Sequence, residues 1–345
     1  MVYLAVTIRQ IAAAAGVSRG TVDRVLHNRP GVKPGVAEHV RKIAEELGYS
    51  PNRAGQILAA RKRPILIGCF MPNIGNVFFN DVIKGFRKAE KELSDFGVSI
   101  IIREARGYDM DVHKQAIQEL MDQGCDGLCV ATIDTPEMHL YLNQIIETGI
   151  PVVAVNTDLG KTKKLCYVGN DYYKAGATAA GLLSLMLTKE IKLLIVTGSM
   201  HMKGHNDRIR GFSRTLRRNN IPYHVVDVCE SQDNDEHACN LTMKVLKEHP
   251  ETDCIYIVAA GVAGVCQAVK ELDRQNDLRI VSHDDVPVTR RLVKEGVIDF
   301  TVCQEPEQQG YQSIHILFNY FMSGRQDNPK DFITGCVIKT KENIV

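Results

Sequence analysis

Two short helical patterns adjoin in the stretch Thr7-Ile-Arg-Gln-Ile-Ala-Ala-Ala-Ala-Gly-Val-Ser18, followed by Arg19-Gly-Thr-Val-Asp-Arg-Val-Leu26. Apolar residues recur at helical spacing in both parts, at Ile8, Ile11, Ala12 and Ala15 and then at Val22, Val25 and Leu26. Gly16 breaks the first pattern, and Ser18 is a residue type that caps the start of a helix. Two short helices joined by a turn that contains glycine predict a helix-turn-helix, whose second helix can enter the major groove of DNA.

The charge of the chain is distributed unevenly around this motif. Residues 1–63 contain eleven Lys or Arg and four Asp or Glu, a net charge of +7, whereas the rest of the chain has a net charge of −6. The balance of +1 for the whole sequence hides this difference. A basic segment with patterned helices on an acidic body is typical of a protein that binds a polyanion through its head.

Length and composition indicate the number of domains, the cellular location and the state of the cysteines. A chain of 345 residues, 44% hydrophobic and 24% charged, predicts two or three globular units. The first residues lack the apolar core of a signal peptide, and no apolar run reaches the length of a membrane span, so we expect a cytoplasmic location. The ten cysteines are scattered, mostly in apolar runs, which favours reduced, buried thiols and argues against a metal site.

The order of local patterns predicts three segments. A third helix is expected from about Pro34 to Leu47, which completes a DNA-binding domain over residues 1–50. Residues 51–63 begin at Pro51 and read as a linker that forms a hinge helix only under suitable conditions. The body, residues 64–345, is expected to bind an effector and to dimerise.

In the body, apolar strand-like runs alternate with helical segments of ten to twenty residues. The expected strands are Ile65–Met71, Val98–Ile102, Leu128–Ala131, Val152–Val155, Leu193–Val196, Tyr223–Val228, Cys254–Val258, Leu278–Ser282 and Asp299–Cys303, with a last strand near Val337–Lys339. This alternation predicts an α/β body with two doubly wound parallel-sheet lobes. We place lobe one at about 64–160 and 289–324, and lobe two at about 161–288 and 325–345. A ligand is expected in the cleft where the carboxyl ends of the strands face each other.

Several of these features together resemble the lactose-repressor (LacI) family of bacterial transcription regulators. The resemblance rests on Val17-Ser-Arg-Gly-Thr-Val-Asp-Arg-Val-Leu26, on Leu47-Gly-Tyr-Ser-Pro-Asn52 and on Leu58, and it extends over the whole chain because the body is similar to periplasmic sugar-binding proteins. It implies a homodimer, associated with the nucleoid when bound, that reads a pseudo-palindromic operator. It also implies control of operator binding by a small sugar, polyol or related effector. Neither the operator, the effector nor the sign of its action follows from the sequence.

The resemblance also assigns residues to the DNA interface. Arg19, Gly20 and Arg24 would face the bases, and Thr7, Ser18, Thr21 and Asn28 would lie near phosphates. Arginine is a good reader of guanine edges, although each arginine could instead contact only phosphate. Asp23 departs from the serine usual in the family, and a carboxylate does not suit a phosphate contact. Leu58 would wedge into the minor groove at the operator centre, or else pack the linker against the body.

An effector site is implied at the strand ends by the same resemblance. The assigned residues are Asn76, Phe78, Phe79, Asn156, Thr157, Asp158, His205, Arg208, Asp284 and Gln304. Asn156-Thr157 replaces the Asp-Arg of the sugar-binding pattern, and Ala260 replaces its asparagine, so the ligand should differ from a simple pentose. Other interpretations stay open for some of them: the two phenylalanines could be ordinary core, and Asp158 could cap or bridge a crossover between the lobes.

Two other function classes compete with this interpretation. A solute-binding protein would share the body but would not need the helix-turn-helix. A sugar-modifying enzyme could use Asp284, His283 and Asp158 as acid–base groups. However, the sequence has no convincing Gly-rich phosphate loop, and no Ser or Cys stands in a recognisable nucleophile motif. We therefore expect neither catalytic residues nor a cofactor.

Overall fold

The computed structural model describes residues 6–26, 30–47, 64–72, 74, 76–187, 189–325 and 328–345. Three helices form the head: α1 (Ile8–Ala15), α2 (Arg19–Leu26) and α3 (Pro34–Glu46). Their apolar faces meet in one small core, made of Ile11, Ala12, Ala15, Val22, Val25, Val40 and Ala44. The predicted helix-turn-helix is confirmed. Asn28, Leu58 and the whole predicted hinge, residues 51–63, lie outside the described residues.

The ends of α1 and α2 are set by local hydrogen bonds. Thr7 begins α1 in a capping box, in which its backbone N–H donates to Gln10 Oε1 at 2.8 Å. Gly16 ends the helix with φ of +65°, a left-handed conformation that glycine adopts without a Cβ clash. The Ser18 hydroxyl then accepts the Thr21 backbone N–H at 3.1 Å and so caps α2, as the sequence predicts.

Twelve strands lie in the described part of the body. They are β1 (Ile65–Met71), β2 (Val98–Glu104), β3 (Gly127–Val130), β4 (Val152–Val155), β5 (Cys166–Asn170), β6 (Ile191–Thr197), β7 (Tyr223–Glu230), β8 (Cys254–Ile257), β9 (Arg279–His283), β10 (Phe300–Cys303), β11 (Phe332–Thr334) and β12 (Val337–Lys339). Sheet one has the order β11-β5-β4-β3-β1-β2, and sheet two the order β12-β10-β9-β8-β6-β7. Every pairing is parallel except that of β10 with β12. The expected two-lobed α/β body is confirmed.

Helices cover both faces of each sheet. They are α4 (Phe78–Leu93), α5 (Met110–Asp122), α6 (Pro136–Glu147), α7 (Tyr172–Met186), α8 (Lys203–Arg218), α9 (Asp235–Glu248), α10 (Val262–Glu271), α11 (Pro287–Lys294) and α12 (Pro306–Met322), with a short 3₁₀ turn at Ser94–Phe96. None of the helices in the described ranges has the length and apolar character needed to cross a membrane.

The lobe boundaries differ from those expected. Residues 166–170 and 332–334 are expected in lobe two and no strand is predicted there, but they form β5, which pairs with β4 in sheet one, and β11, which pairs with β5 in the same sheet. Conversely, β10 was placed in lobe one, yet it pairs with β9 in sheet two, and α11 packs in that lobe. The chain therefore crosses between the lobes after β5, after β10 and after β11.

Two helices of lobe two approach each other very closely. A Cβ on Gly176 of α7 would lie 1.9 Å from the Arg208 carbonyl oxygen of α8. A Cβ on Gly211 of α8 would lie 2.0 Å from the Tyr173 carbonyl oxygen of α7. Because real Cβ atoms never come so near to backbone oxygens, both positions require glycine. Because Arg208 lies at this contact, the packing of α8 against α7 determines the position of the Arg208 backbone in lobe two.

Candidate functional site

The exposed face of α2 carries the residues predicted to meet DNA bases. Arg19, Gly20 and Arg24 are all exposed, while Val22 and Val25 hold the opposite face in the head core. Among the described residues, the one neighbour within 4 Å of a Cβ built on Gly20 would be Ser18 Oγ at 3.8 Å, so the described part of the chain leaves this face open. The Ser18 and Thr21 hydroxyls lie 2.9 Å apart at the start of the helix. Two guanidinium groups can therefore reach outward from one open helix surface.

A cavity of about 320 Å³ opens between the two lobes, beyond the carboxyl ends of strands from both sheets. Eight of the ten predicted effector residues line it: Asn76, Phe78, Phe79, Asn156, His205, Arg208, Asp284 and Gln304. Thr157 and Asp158 do not. Asn76 follows β1, Asn156 follows β4, and Asp284 and Gln304 directly follow β9 and β10. Parallel strands thus bring residues that are far apart in the chain to one place.

A chain of hydrogen bonds crosses this cavity wall from one lobe to the other. Asn156, which follows β4 of sheet one, donates through Nδ2 to Gln309 Oε1 at 3.2 Å. Gln309 Nε2 donates to Gln304 Oε1 at 2.8 Å, and Gln304 Nε2 donates to Asp284 Oδ1 at 2.9 Å. Asn156 and Asp284 both have left-handed backbones, with φ of 62° and 72°. Such conformations are uncommon for residues other than glycine and often occur at binding sites.

Arg208 is the central cation of the cavity. Its side chain is only 3% exposed, and its guanidinium lies 4.7 Å from the centre of the Tyr172 ring. Nη1 donates to the Val258 carbonyl oxygen at 2.7 Å, and Nη2 lies 3.6 Å from Asp284 Oδ1. Nε is buried and has no hydrogen-bond partner. Burial raises the pKa of Asp284, although the nearby Arg208 charge opposes that rise.

An aromatic wall closes the lobe-one side of the cavity. The Phe78 and Phe79 rings meet edge to face, with centroids 5.3 Å apart. Asn76 holds the start of this segment, because its Oδ1 accepts the Phe78 backbone N–H at 3.2 Å. Both rings are also buried in the core of lobe one, so the two open interpretations, core and cavity wall, apply together.

Two histidines border the cavity and are held in place by neutral partners. His205 Nδ1 lies 3.1 Å from the Ser199 carbonyl oxygen, and His283 Nε2 lies 2.8 Å from the Tyr256 hydroxyl. Burial, above all, lowers the pKa of both imidazoles, and for both the Arg208 charge acts in the same direction. We therefore treat both as uncharged at neutral pH. Among the described residues, no group of three His, Cys, Asp or Glu is arranged to hold a metal ion.

Asp158 lies in a second, smaller cavity of about 190 Å³. Its carboxylate pairs with Lys164 Nζ at 3.0 Å and with Lys203 Nζ of α8 at 3.6 Å. Lys203 also pairs with Asp207 at 2.8 Å. The geometry fits the alternative in which Asp158 bridges the lobes, while Thr157 is buried beside it. The three proposed acid–base groups, Asp158, His283 and Asp284, are not gathered in one cavity.

Sequence reasoning missed several residues of this site, and four of them are polar residues that matter to its geometry. Tyr108, Tyr172 and Asp233 line the larger cavity, and Gln309 joins its two walls. Asp233 follows β7 by three residues, so the strand-end rule that identified the others could have found it. Gln309 lies within α12, where no local pattern marks it. Its role depends on how α12 packs.

Comparisons with known proteins match both the head and the body of the chain. A family model for "Bacterial regulatory proteins, lacI family" matches residues 7–52, and one for "Periplasmic binding protein domain" matches residues 67–326. Catabolite control protein A of Staphylococcus epidermidis is 28% identical over 331 residues, covering 94% of this chain and 95% of that protein. The ribose operon repressor of Halalkalibacterium halodurans is 26% identical over 291 residues, covering 83% and 82%. Among solved structures, GanP, a glucose-galactose binding protein from Geobacillus stearothermophilus, gives a TM-score of 0.75 at 26% identity, covering 82% of this chain and 99% of that one.

Proposed function

Because the chain belongs to the LacI family of bacterial regulatory proteins, we propose that it binds its operator as a homodimer under the control of a small polar effector. The chain is a DNA-binding transcriptional regulator. The observation that carries the proposal is the combination of two sites: an open arginine-bearing helix on the head and a polar cavity between the body lobes. Its relatives are regulators rather than enzymes.

The composition of the cavity supports a sugar, a polyol or a related molecule as the effector. Hydroxyl groups need both hydrogen-bond donors and hydrogen-bond acceptors. Arg208 provides donors, Asp284 provides acceptors, and the side-chain amides of Asn156 and Gln304 provide both. The apolar face of a ring would pack against Phe78 and Phe79. A volume of about 320 Å³ is at the lower end of small-molecule sites, which suits a compact ligand.

The same cavity supports a mechanism of control. A ligand that contacts Asn76 of lobe one and Asp284 of lobe two stabilises one arrangement of the lobes over another. It can change operator affinity only by the difference in its affinity for these arrangements. The expected consequence is a shift in how the two heads of the dimer are spaced. Whether the effector strengthens or weakens operator binding is decided by which arrangement suits DNA.

A solute-binding role is less well supported than regulation. GanP shows that the body fold occurs in sugar-binding proteins, but the match to GanP covers 82% of this chain. The family match at residues 7–52 falls on the head, where α1 and α2 form the helix-turn-helix. The solute-binding role does not require a helix-turn-helix domain, because it does not involve DNA.

Operator binding can be tested with fluorescently labelled duplexes that cover the region upstream of the gene. We expect one duplex to bind far more tightly than a scrambled duplex of the same length. Arg24→Ala should weaken this binding by about 10- to 100-fold, the usual discrimination of one arginine–guanine contact. Arg106→Ala, which removes an exposed arginine of the body, is the matched control. If no duplex is preferred, or if both variants bind like the wild type, the proposal is wrong.

A further inference from the structure

One carboxylate of the cavity is held in position without a positively charged partner among the described residues. Asp233 has a left-handed backbone, with φ of 55°, in the turn that links β7 to α9. Two backbone hydrogen bonds fix this turn to the end of β6: Ser231 N–H to the Thr197 oxygen at 2.8 Å, and Gln232 N–H to the Gly198 oxygen at 2.9 Å. A Cβ on Gly198 would lie 2.3 Å from Asp233 Oδ1, so glycine there makes room for the carboxylate.

The described side chains that donate hydrogen bonds to Asp233 are neutral and come from the opposite lobe. Tyr108 donates its hydroxyl proton to Asp233 Oδ2 through a short hydrogen bond, and Asn76 Nδ2 donates to the same oxygen at 3.2 Å. Oδ1 is buried and has no hydrogen-bond partner in the described part of the chain. None of the ion pairs formed by the described residues includes Asp233.

The other charges of the cavity do not compensate for Asp233. Arg208 lies beside Asp284, and the two charges offset each other. Asp235, a further carboxylate of the lining, accepts the Gly264 backbone N–H at 3.2 Å. Burial lowers the pKa of His205, although the Asp233 charge opposes that fall, and burial also lowers the pKa of His283. Of the described lining residues, the three carboxylates thus face a single arginine.

We propose that the effector carries a protonated amino group, which binds the Asp233 carboxylate while its hydroxyl groups bind around Arg208. A carboxylate partly removed from water is costly unless an opposite charge or hydrogen-bond donors satisfy it. An ammonium group supplies both to this carboxylate. Arg208 lines the same cavity and its guanidinium can only donate, so it requires acceptors such as ligand hydroxyl groups. The ligand class that meets both demands is an amino sugar or an aminocyclitol.

This inference rests on the proposed function, because it names the ligand class of the same cavity. It is tested by thermal unfolding and calorimetry of the full chain with paired compounds that differ only in one amine for one hydroxyl. Suitable probes are glucosamine with glucose, galactosamine with galactose, and an amino-inositol with its parent inositol. We expect at least one amine to stabilise the wild type and to bind more tightly than its partner by about 10- to 100-fold, the range of a hydrogen bond to a charged group.

Asp233→Asn keeps the shape of the side chain but removes its charge, and it should abolish the preference for the amine. Asp227→Asn, an exposed aspartate of β7, removes the same charge outside the cavity and should leave the preference intact. The proposal is overturned if no amine stabilises the wild type at millimolar concentration, if the neutral partner binds as well, or if the preference survives Asp233→Asn. Operator binding without any ligand, measured on the same wild-type sample, tests the regulatory function separately.

Discussion

The close contact between α7 and α8 makes a sharp prediction, because α7 contains two glycines in very different surroundings. Gly176 lies against the Arg208 backbone, whereas a Cβ on Gly181 would have no atom within 4 Å. Replacing either glycine by alanine favours the helix by about 1 kcal/mol, so this gain cancels when the two variants are compared. What remains is the cost of fitting one methyl group between two backbones.

That cost can be estimated from the geometry. The added Cβ would lie 1.9 Å from the Arg208 oxygen, so α8 would have to move by roughly 1.4 Å to reach an ordinary carbon–oxygen distance of about 3.3 Å. Overpacking of this kind costs about 1–3 kcal/mol. For a domain of this size, the melting temperature of Gly176→Ala should therefore lie about 2–12 °C below that of Gly181→Ala.

Differential scanning calorimetry of the wild type and both variants measures this difference directly. Gly181→Ala should match or exceed the wild type in stability, and Gly176→Ala should fall below Gly181→Ala. Because the displaced backbone carries Arg208, the Gly176 variant should also lose ligand-induced stabilisation, which the Gly181 variant should keep. Equal melting temperatures for the two variants would refute the argument that α7 and α8 are packed through Gly176.

Three further predictions concern the cavity and the head. Gln309→Leu removes one hydrogen bond from Asn156 and one from Gln304, so it should lower the free energy of unfolding by about 0.5–1.5 kcal/mol for each lost bond, as measured by urea titration; an equal loss in Gln312→Leu on the same helix would contradict this. Asp284→Asn removes the charge beside Arg208, so calorimetry should show weaker effector binding while ligand-free operator affinity is unchanged; an undiminished effector response would show that Asp284 is not part of the site. Lys42→Ala should reduce the slope of log affinity against log salt by about one if the exposed Lys42 meets a phosphate, and an unchanged slope would remove it from the interface.

The head was predictable because its signals are local. The capping residues Thr7 and Ser18, the break at Gly16 and the helical periods between them all lie within twenty residues. The alternation of the body likewise predicted two parallel sheets. The sheet to which a strand belongs was harder to predict, because β5 and β10 join their sheets through pairings that no local pattern specifies.

The residues of the cavity likewise divide into those that the sequence could predict and those that it could not. Asn76, Asn156, Asp284 and Gln304 follow strands closely, and parallel topology alone brings such positions together. Gln309 could not be identified from the sequence, because its importance depends on the packing of α12 against the crossover. Asp158 follows β4 as closely as the others but pairs with lysines in a separate cavity, which shows that the strand-end rule locates an edge rather than a ligand.

The positions of β11 and β12 determine how the protein responds to proteolysis. Only two residues separate β11, the outermost strand of sheet one, from β12, the outermost strand of sheet two. One short tail therefore shields the open backbone edges of β5 and β10 together. A single proteolytic cut before Asp331 would bare both edges at once, and unpaired edges recruit strands from other molecules. Such a clipped protein should aggregate rather than persist as a regulator with reduced activity.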